Sequence, residues 1–536
     1  MNLFFSNPEI VRNARIQLRP GRMIAAAVIC AAISITTWAS IVHTDVDYSV
    51  SGLHKEGAVF AFILYIQITA LLIGGGFYCL QSVHREKELN TFDYQRVTRL
   101  TSLELGIGKL FGAPILAYFM VLCFMPVALT GAIRGHVPLL LVLEAYGLVL
   151  LGSIAYHTLA LMVSVLLGRG GTVVSILLFL ALVAISSADF FNGSVPSRAQ
   201  LLAIHPVSPF VVGDLISKPP TVAWVSSAGL ASGYGWSDLL LDKAVSHSLV
   251  LTGLYVTFGC WFLLAVTRNL KRDPAVYEIY SPGQAFLFAM YLNSLLLLFT
   301  PWAQKFRASD ISIAGTTYRV PGASPLAVEQ MLLAASLWLF MILALILLRN
   351  RERVRRRVRE FGRRAAGWWA ALWPAPYLIG GFALFGGAVI GLISHYRNPG
   401  DWNVRLAVFD VAFLAAWFAR DALYFQWMNL RRSRRPLASA ALYLVIFYVC
   451  TGFLFSALNF YHNARNTALT AIVVPWSAFF LGPWNWDSQA RLFLGALVLQ
   501  CLEAGVFVWL HRRKLREFMD APSPAAVPAE KLAQPA

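Results

Sequence analysis

The sequence is poor in charged residues, which make up 13% of its 536 positions, whereas hydrophobic residues make up 58%. Soluble globular domains average about a quarter charged residues, so this composition excludes that class. Apolar runs of about 18 residues or more recur along the chain, each long enough to cross ~30 Å of hydrocarbon as a helix. Because helices and closed barrels alone satisfy the backbone in lipid, the sequence predicts an all-α, polytopic membrane protein.

The sequence also lacks the patterns of a metal site, a nucleotide-binding loop or a hydrolytic site. Its six cysteines form no C-x-x-C pair, and its ten histidines show no H-x-x-x-H spacing. Neither a disulfide framework nor a zinc site is therefore predicted. Gly108-Lys109 is followed by Leu110 rather than by the serine or threonine of a phosphate-binding loop. We expect no catalytic residues, no metal and no cofactor on this chain.

Positive charge is in excess, with 44 lysines and arginines against 27 acidic residues. The basic residues cluster between apolar runs, most densely at 349–364, 429–436 and 511–518. This distribution is typical of cytoplasmic loops in membrane proteins, so no nucleic-acid partner is predicted. The first apolar run, 23–42, exceeds the 7–15 residues of a signal peptide's apolar region and is interpreted as a retained span. Both termini are predicted to be cytoplasmic.

The apolar runs predict about twelve spans in two six-span halves, 1–283 and 284–520, followed by a disordered tail at 521–536. The predicted spans are 23–42, 58–80, 110–133, 138–167, 172–189, 248–267, 284–301, 328–348, 377–395, 405–424, 438–457 and 491–510. A further apolar run at 467–483 contains Pro475 and is interpreted as a re-entrant segment on the outer side. It resembles the segment 201–215, which suggests a degenerate internal repeat.

One polar segment, 81–109, carries the most specific pattern in the chain. Glu104 and Lys109 lie thirteen and eighteen positions after Thr91, within the sequence E-L-G-I-G-K that leads into an apolar run. The segment resembles the first cytoplasmic loop of the type-2 ATP-binding-cassette (ABC) exporter permeases. Arg99 stands where that family usually has a proline.

The resemblance implies that residues 81–109, here called the coupling segment, contain a short helix that docks on a separate ATPase. The residues expected at that contact are Glu86, Glu88, Thr91, Asp93, Arg96, Glu104 and Lys109. Thr91 is also expected to cap the following helical turn. The chain would then be the membrane subunit of an exporter in the inner (plasma) membrane of a bacterium. ATP and Mg²⁺ would bind the partner ATPase.

The N-terminal sequence resembles the same family's amphipathic connecting helix, which lies along the membrane before the first span. Asn7 or Ser6 before Pro8 is predicted to begin that helix. Two assemblies would each serve two ATPase copies. One is a single chain with a degenerate second docking site at 349–364, and the other is a homodimer with two equal coupling segments.

Ionisable residues inside apolar runs are candidates for function, because a charge in hydrocarbon costs at least about 2.5 kcal/mol. Glu144, Asp410 and Glu503 are such residues, and the sequence leaves three roles open for them: lining a cavity, pairing with Arg420 or His157, or carrying protons. A proton-coupled secondary transporter is therefore one alternative function. A membrane-embedded enzyme acting on lipid or glycan is another, although no cluster of polar residues supports it.

Overall fold

The structure is a computed structural model that divides into two compact units. The first contains Met1–Asp238 and Lys243–Ile279, and the second contains Leu239–Asp242 and Tyr280–Ala536. The residues that the structure describes are 7–43, 55–97, 99–166, 237–240, 243–272, 279–298, 309–313, 316–320, 325–346, 354, 375–396, 404–431, 442, 446 and 486–520.

The first unit begins with a short helix and continues through long apolar ones. Its helices are α1 (Pro8–Gln17), α2 (Pro20–Val42), α3 (Lys55–Thr69), α4 (Gly76–Glu88), α5 (Phe92–Arg96), α6 (Ser102–Gly112), α7 (Ile115–Arg134) and α8 (Leu139–Leu166). The short strands β1 (Ser237–Leu240) and β2 (Lys243–Ser246) precede α9 (His247–Asn269). One π-helical segment, Ala70–Gly75, joins α3 to α4, so that the two form one continuous span.

Packing in the first unit joins helices that are distant in the chain. α3 packs against α7, and α8 packs against both α4 and α9. The core between α3, α7 and α8 is built from aliphatic and aromatic side chains, among them Phe60, Leu64 and Phe124, which are buried. The outward sides of α2 and α7 carry exposed apolar residues, as expected for helices that face lipid.

The second unit is also mainly helical. It contains α10 (Pro282–Leu298), β3 (Ser309–Ile313), β4 (Thr316–Val320), α11 (Pro325–Ile346), α12 (Ala375–Tyr396), α13 (Val404–Leu430) and α14 (Trp486–Asp520). β3 and β4 form an antiparallel hairpin in which Ser309 pairs with Val320. α13 packs against α12 and α14, and Phe340 of α11 contacts Phe382 and Phe418.

The helical membrane architecture is confirmed in its coarse form. Among the described residues, seven helical segments are long and apolar enough to cross a membrane. They are Pro20–Val42, Lys55–Glu88, Ile115–Arg134, Leu139–Leu166, Ser248–Asn269, Ala375–His395 and Leu494–Glu517. The described parts of the predicted spans 284–301, 328–348 and 405–424 are helical, but these spans are not among the seven. The number twelve and the two-half repeat stay predictions.

One predicted span begins later than the sequence suggested. The run 110–133 was expected to form one helix, but α6 ends at Gly112 and α7 begins at Ile115, with Pro114 between them. Proline lacks the N–H that a continuous helix needs, and Pro114 itself leaves the helical region, with a φ of −88° and a ψ of 17°. Lys109 therefore belongs to a separate helix that precedes the third span.

Several predicted features lie outside the described residues. These are the spans 172–189 and 438–457 (apart from 442 and 446), the re-entrant segment 467–483, the related segment 201–215, the tail 521–536 and, apart from residue 354, the arginine-rich stretch 349–364.

Candidate functional site

The coupling segment is held by a cluster of four charged side chains from three helices. Glu86 lies in the last turn of α4, Lys109 lies in α6, and Glu9 and Arg12 lie one turn apart on α1. Lys109 Nζ lies 2.6 Å from Glu86 Oε2 and 3.3 Å from Glu9 Oε1. Arg12 Nη2 donates to both Glu9 Oε1 and Glu86 Oε1 at 2.7 Å. Two cations therefore meet two carboxylates, and we call this set the charge cluster.

The charge cluster is largely removed from water. Lys109 is 1% exposed and both glutamates are buried, whereas the side chain of Arg12 is 45% exposed. Desolvating such charges costs several kcal/mol per ion, which is offset only if each finds opposite charge and further hydrogen bonds. Gln95 supplies one such bond, because its Nε2 donates to Glu86 Oε1 at 2.6 Å.

Polar contacts hold α1 along α6. One contact lies near the beginning of both helices, and another lies near the end of both. Asn7 Nδ2 donates to the backbone oxygen of Glu104 at 2.8 Å, and Gln17 Nε2 donates to the backbone oxygen of Ala113 at 2.7 Å. The second bond satisfies a carbonyl near the break that precedes α7. Asn7 also caps α1 through Glu9 N, at 3.0 Å, so the predicted helix beginning at Pro8 is confirmed.

Close packing of these two helices depends on a glycine in α6. A β-carbon at Gly108 would lie 2.7 Å from Glu9 Cβ and 2.8 Å from Asn7 Oδ1. Both distances are far below an ordinary van der Waals contact, so a residue larger than glycine would displace α1.

Lys87 anchors the other side of the coupling segment to the fourth span. Its Nζ donates to the backbone oxygens of Val165 at 2.6 Å and Ser164 at 3.2 Å, near the end of α8. These carbonyls lie in the last turn of the helix, where a cation is favoured. The same ammonium lies 5.8 Å from the ring centroid of Phe92, the first residue of α5.

A tight turn connects α4 to α5. Asn90 has a φ of 55°, in the left-handed region that asparagine tolerates better than most residues. The N–H of Thr91 donates to Glu86 O at 2.9 Å, and its hydroxyl donates to the same oxygen at 3.3 Å. The expectation that Thr91 caps α5 is wrong, since its side chain makes no capping bond to that helix. Thr91 instead closes the end of α4.

Glu104 caps its own helix. Thr101 Oγ1 accepts from Glu104 N at 3.2 Å, while Glu104 Oε2 accepts from Thr101 N at 2.8 Å. This reciprocal capping box satisfies two amides that α6 would otherwise leave open. The bonds from the Thr101 backbone and hydroxyl lower the pKa of Glu104 below its ordinary value. Glu104 is therefore ionised at neutral pH and fixed within its helix.

The surface of the coupling segment exposes three large apolar side chains in and beside α5. Leu89 is 63% exposed, Tyr94 75% and Val97 82%. We call these three residues the docking face. Asp93 is exposed beside them, as are Glu88 and Thr91, whereas the side chain of Arg96 is not among those described. Of the residues predicted at the ATPase contact, Glu86, Glu104 and Lys109 are buried inside the unit.

A second polar group of the first unit surrounds the π-helical segment. His157 Nε2 donates to the backbone oxygen of Leu71 at 2.8 Å, and the Tyr118 hydroxyl lies 3.2 Å from His157 Nδ1. The wider π turn shifts the backbone bonding there, as is common where a side chain enters a helix. The imidazole fits here because Gly75 has no β-carbon. A β-carbon at that position would lie 2.3 Å from His157 Nε2. Glu144 lies half-buried near the start of α8, separate from this group.

In the second unit, Arg420 of α13 forms ion pairs with two acidic side chains. Its Nη2 lies 2.8 Å from Asp421 Oδ1, and its Nη1 lies 3.2 Å from Glu503 Oε2 on α14. Gln500 Oε1 accepts from the same guanidinium at 2.8 Å. Glu503 thus pairs with Arg420, which was one of the two partners that the sequence suggested.

Asp410 lies elsewhere on α13. It is buried, and its Oδ2 has no hydrogen-bond partner among the described residues.

Sequence reasoning missed Glu9 as a member of the site, although it recognised the helix that carries it. The spacing of Glu9 and Arg12 marks a helical pair, but nothing local indicates that Glu86 and Lys109 join them. Within the described ranges, no group of histidine, cysteine and acidic side chains is arranged to hold a metal ion. No family model, curated protein or solved structure matches this chain.

Proposed function

We propose that this chain is the membrane-spanning permease subunit of an ATP-driven exporter of the ABC class, whose ATPase is a separate protein. The docking face would be the ATPase contact, with Asp93 and Glu88 at its rim. The observation that carries the proposal is the exposure of Tyr94 on α5 and of Val97 just after it. This short helix is held by buried Phe92 and by the bond from Gln95 to Glu86. Exposed aromatic and aliphatic side chains on a rigid support are typical anchors of protein interfaces.

The contacts behind the docking face would carry force to four spans. Glu86 and Lys87 lie in the last turn of the helix that forms the second span, and Lys87 also binds the end of α8, the fourth span. Lys109 belongs to α6, which leads through Pro114 into α7, and Glu9 and Arg12 belong to α1, which leads into α2. A displacement of α5 by an ATPase would therefore act on α2, α4, α7 and α8 together.

The proposal is tested by purifying the tagged chain in mild detergent and identifying the proteins that co-elute with it. The informative variant is Tyr94→Ala/Val97→Ala, with Leu139→Ala as its matched control. Leu139 is 71% exposed, at the other end of α7 and α8 from the coupling segment. We expect wild type and Leu139→Ala to retain a partner that carries a phosphate-binding loop and hydrolyses ATP.

In the double variant, loss of an interface anchor worth about 2 kcal/mol would weaken partner binding roughly 30-fold. The elution volume and thermal stability of the variant should equal those of wild type, because both side chains are exposed. Equal ATPase recovery from the variant and wild type would refute the docking face. A wild-type chain that purifies without any ATPase would refute the exporter. The copy number of the ATPase would distinguish one chain from a homodimer.

A proton-coupled secondary transporter is the second candidate, and Asp410 favours it. A buried carboxyl group whose Oδ2 has no hydrogen-bond partner among the described residues is costly to keep ionised. Glu329, which is also buried, lies close enough to repel its charge. This function predicts transport that an uncoupler abolishes, that ATP depletion spares, and that Asp410→Asn stops.

A further inference from the structure

An exposed strip of arginines borders the first span. Arg15 lies in α1, Arg19 immediately precedes α2, and Arg22 lies in its first turn. All three are exposed, and within the described part of the chain none forms an ion pair with an acidic side chain. Arg22 donates to the backbone oxygen of Ile16 at 3.4 Å. We call these three residues the basic strip.

The basic strip lies at the beginning of the first candidate span. α2 is one of the seven helices able to cross a membrane, and it begins at Pro20, between Arg19 and Arg22. Val11 and Ile16 are exposed on α1 as well. A short helix that exposes both apolar and basic side chains suits the boundary between headgroups and acyl chains. Arginine stems lie along such a boundary while their guanidinium groups reach the phosphates.

Other side chains of α1 are bound within the protein. Glu9 and Arg12 belong to the charge cluster, and Asn7 and Gln17 bind backbone oxygens of the α6 region. The carboxylate of Glu9 is thus paired within the charge cluster, whereas the arginines of the basic strip have no acidic partner among the described residues. Helix α1 is therefore fixed to the coupling segment, while the positive charge of the basic strip lies on Arg15 near its end and on Arg19 and Arg22 beyond it.

We propose that the basic strip binds the anionic headgroups of phospholipids in the bilayer, and that this binding holds α1 in place against α6. Anionic lipid would then order the coupling segment, since α1 contributes half of the charge cluster. Any resulting effect on ATP hydrolysis rests on the proposed function. The binding itself does not, and it is measured separately.

The test titrates the full-length purified protein with phosphatidylglycerol or phosphatidylcholine and counts bound lipid by native mass spectrometry. Hydrogen exchange of the amides of α1 is followed in parallel. The variant is Arg15→Gln/Arg19→Gln/Arg22→Gln. Its control, Arg513→Gln/Lys514→Gln/Arg516→Gln, removes the same charge from the end of α14.

We expect wild type to prefer phosphatidylglycerol and to exchange α1 amides more slowly when that lipid is bound. Each arginine should contribute about fivefold to affinity, so the variant should bind on the order of a hundredfold more weakly. The control should behave as wild type. If the variant does not purify as a single species, the same loss is expected for wild type at high salt, which screens exposed charges.

Three results would overturn the proposal. One is equal binding of the two lipids by wild type. Another is an equal loss of binding in the control, which would mean a general attraction to charge. The third is protection of α1 by inorganic phosphate alone, which would mean a free anion site. Lipid binding without a co-purifying ATPase would refute the exporter and leave this inference standing.

Discussion

At the scale of single residues, Lys109 holds the coupling segment together through electrostatics. Its ammonium is 2.6 Å from Glu86 and 3.3 Å from Glu9, although Glu9 lies 100 positions earlier in the chain. The sequence predicted that Lys109 and Glu86 matter, because their spacing resembles a known pattern. It did not predict that they face each other, since the contact depends on how α1 folds back onto α6.

Replacing Lys109 with methionine should destabilise the first unit. The change keeps the length of the side chain but leaves Glu9 and Glu86 buried with only Arg12 between them. Removing one partner from a buried ionic set costs about 3–5 kcal/mol. We expect a clear drop in the midpoint of thermal unfolding in detergent.

Two further variants make this result specific to the charge cluster. Arg85→Gln, at an exposed position one residue before Glu86, should leave the midpoint unchanged. Lys109→Met/Glu9→Gln should recover part of the loss, because it removes the surplus negative charge. A midpoint in Lys109→Met equal to that of Arg85→Gln would contradict the assigned role.

At the scale of elements, sequence periodicity identified the helices better than it identified their ends. The beginning of α1 was predicted from Asn7 and Pro8, and the structure confirms it. The separation of α6 from α7 was missed, although Thr101 and Glu104 form a capping-box signature and Pro114 marks a break. Both signals lie beside an apolar run. Such a run is interpreted as a single span when only its hydropathy is considered, so the helix ends marked by the capping box and by proline were not recognised.

The packing of α1 on α6 should be lost in Gly108→Ala. The added methyl group would meet Glu9 Cβ at 2.7 Å, a contact that no side-chain rotation relieves. Alanine otherwise favours helix by about 1 kcal/mol over glycine. We therefore expect α6 to persist while α1 separates, with faster hydrogen exchange across residues 8–17.

The matched control is Gly147→Ala in α8, where an added β-carbon meets nothing within 4 Å. It should leave exchange in α1 at the wild-type rate. Unchanged protection of α1 in Gly108→Ala would show that the two helices do not pack as closely as described.

At the scale of the whole molecule, composition was enough to predict a helical membrane protein, because every span must be apolar over most of its length. The seven candidate spans among the described residues follow from that signal. The internal contacts of each unit did not follow from it, since Arg420, Gln500 and Glu503 are brought together by packing of α13 on α14. A polar contact between spans that are distant in the chain leaves no local pattern in the sequence. The length of an apolar run is such a pattern, and it can be read directly.

The orientation of the first unit gives a final prediction. The positive-inside rule predicts a cytoplasmic N-terminus, which places α5 on the cytoplasmic side and the turn between α7 and α8 outside. A cysteine introduced at Leu139 should react with a membrane-impermeant maleimide in intact cells. One at Val97, which is 82% exposed, should react only after permeabilisation. Wild type gives the background, because its cysteines lie in or at the ends of apolar runs.

Each labelling pattern has one structural meaning. Labelling of Val97→Cys in intact cells, with Leu139→Cys protected, would invert the unit and place the docking face where no cytoplasmic ATPase can reach it. Labelling of both sites from one side would mean that α7, whose helix separates them, does not cross the membrane. The expected pattern puts the exposed Tyr94 and Val97 in the compartment that holds ATP, which the exporter requires and a proton-coupled carrier does not.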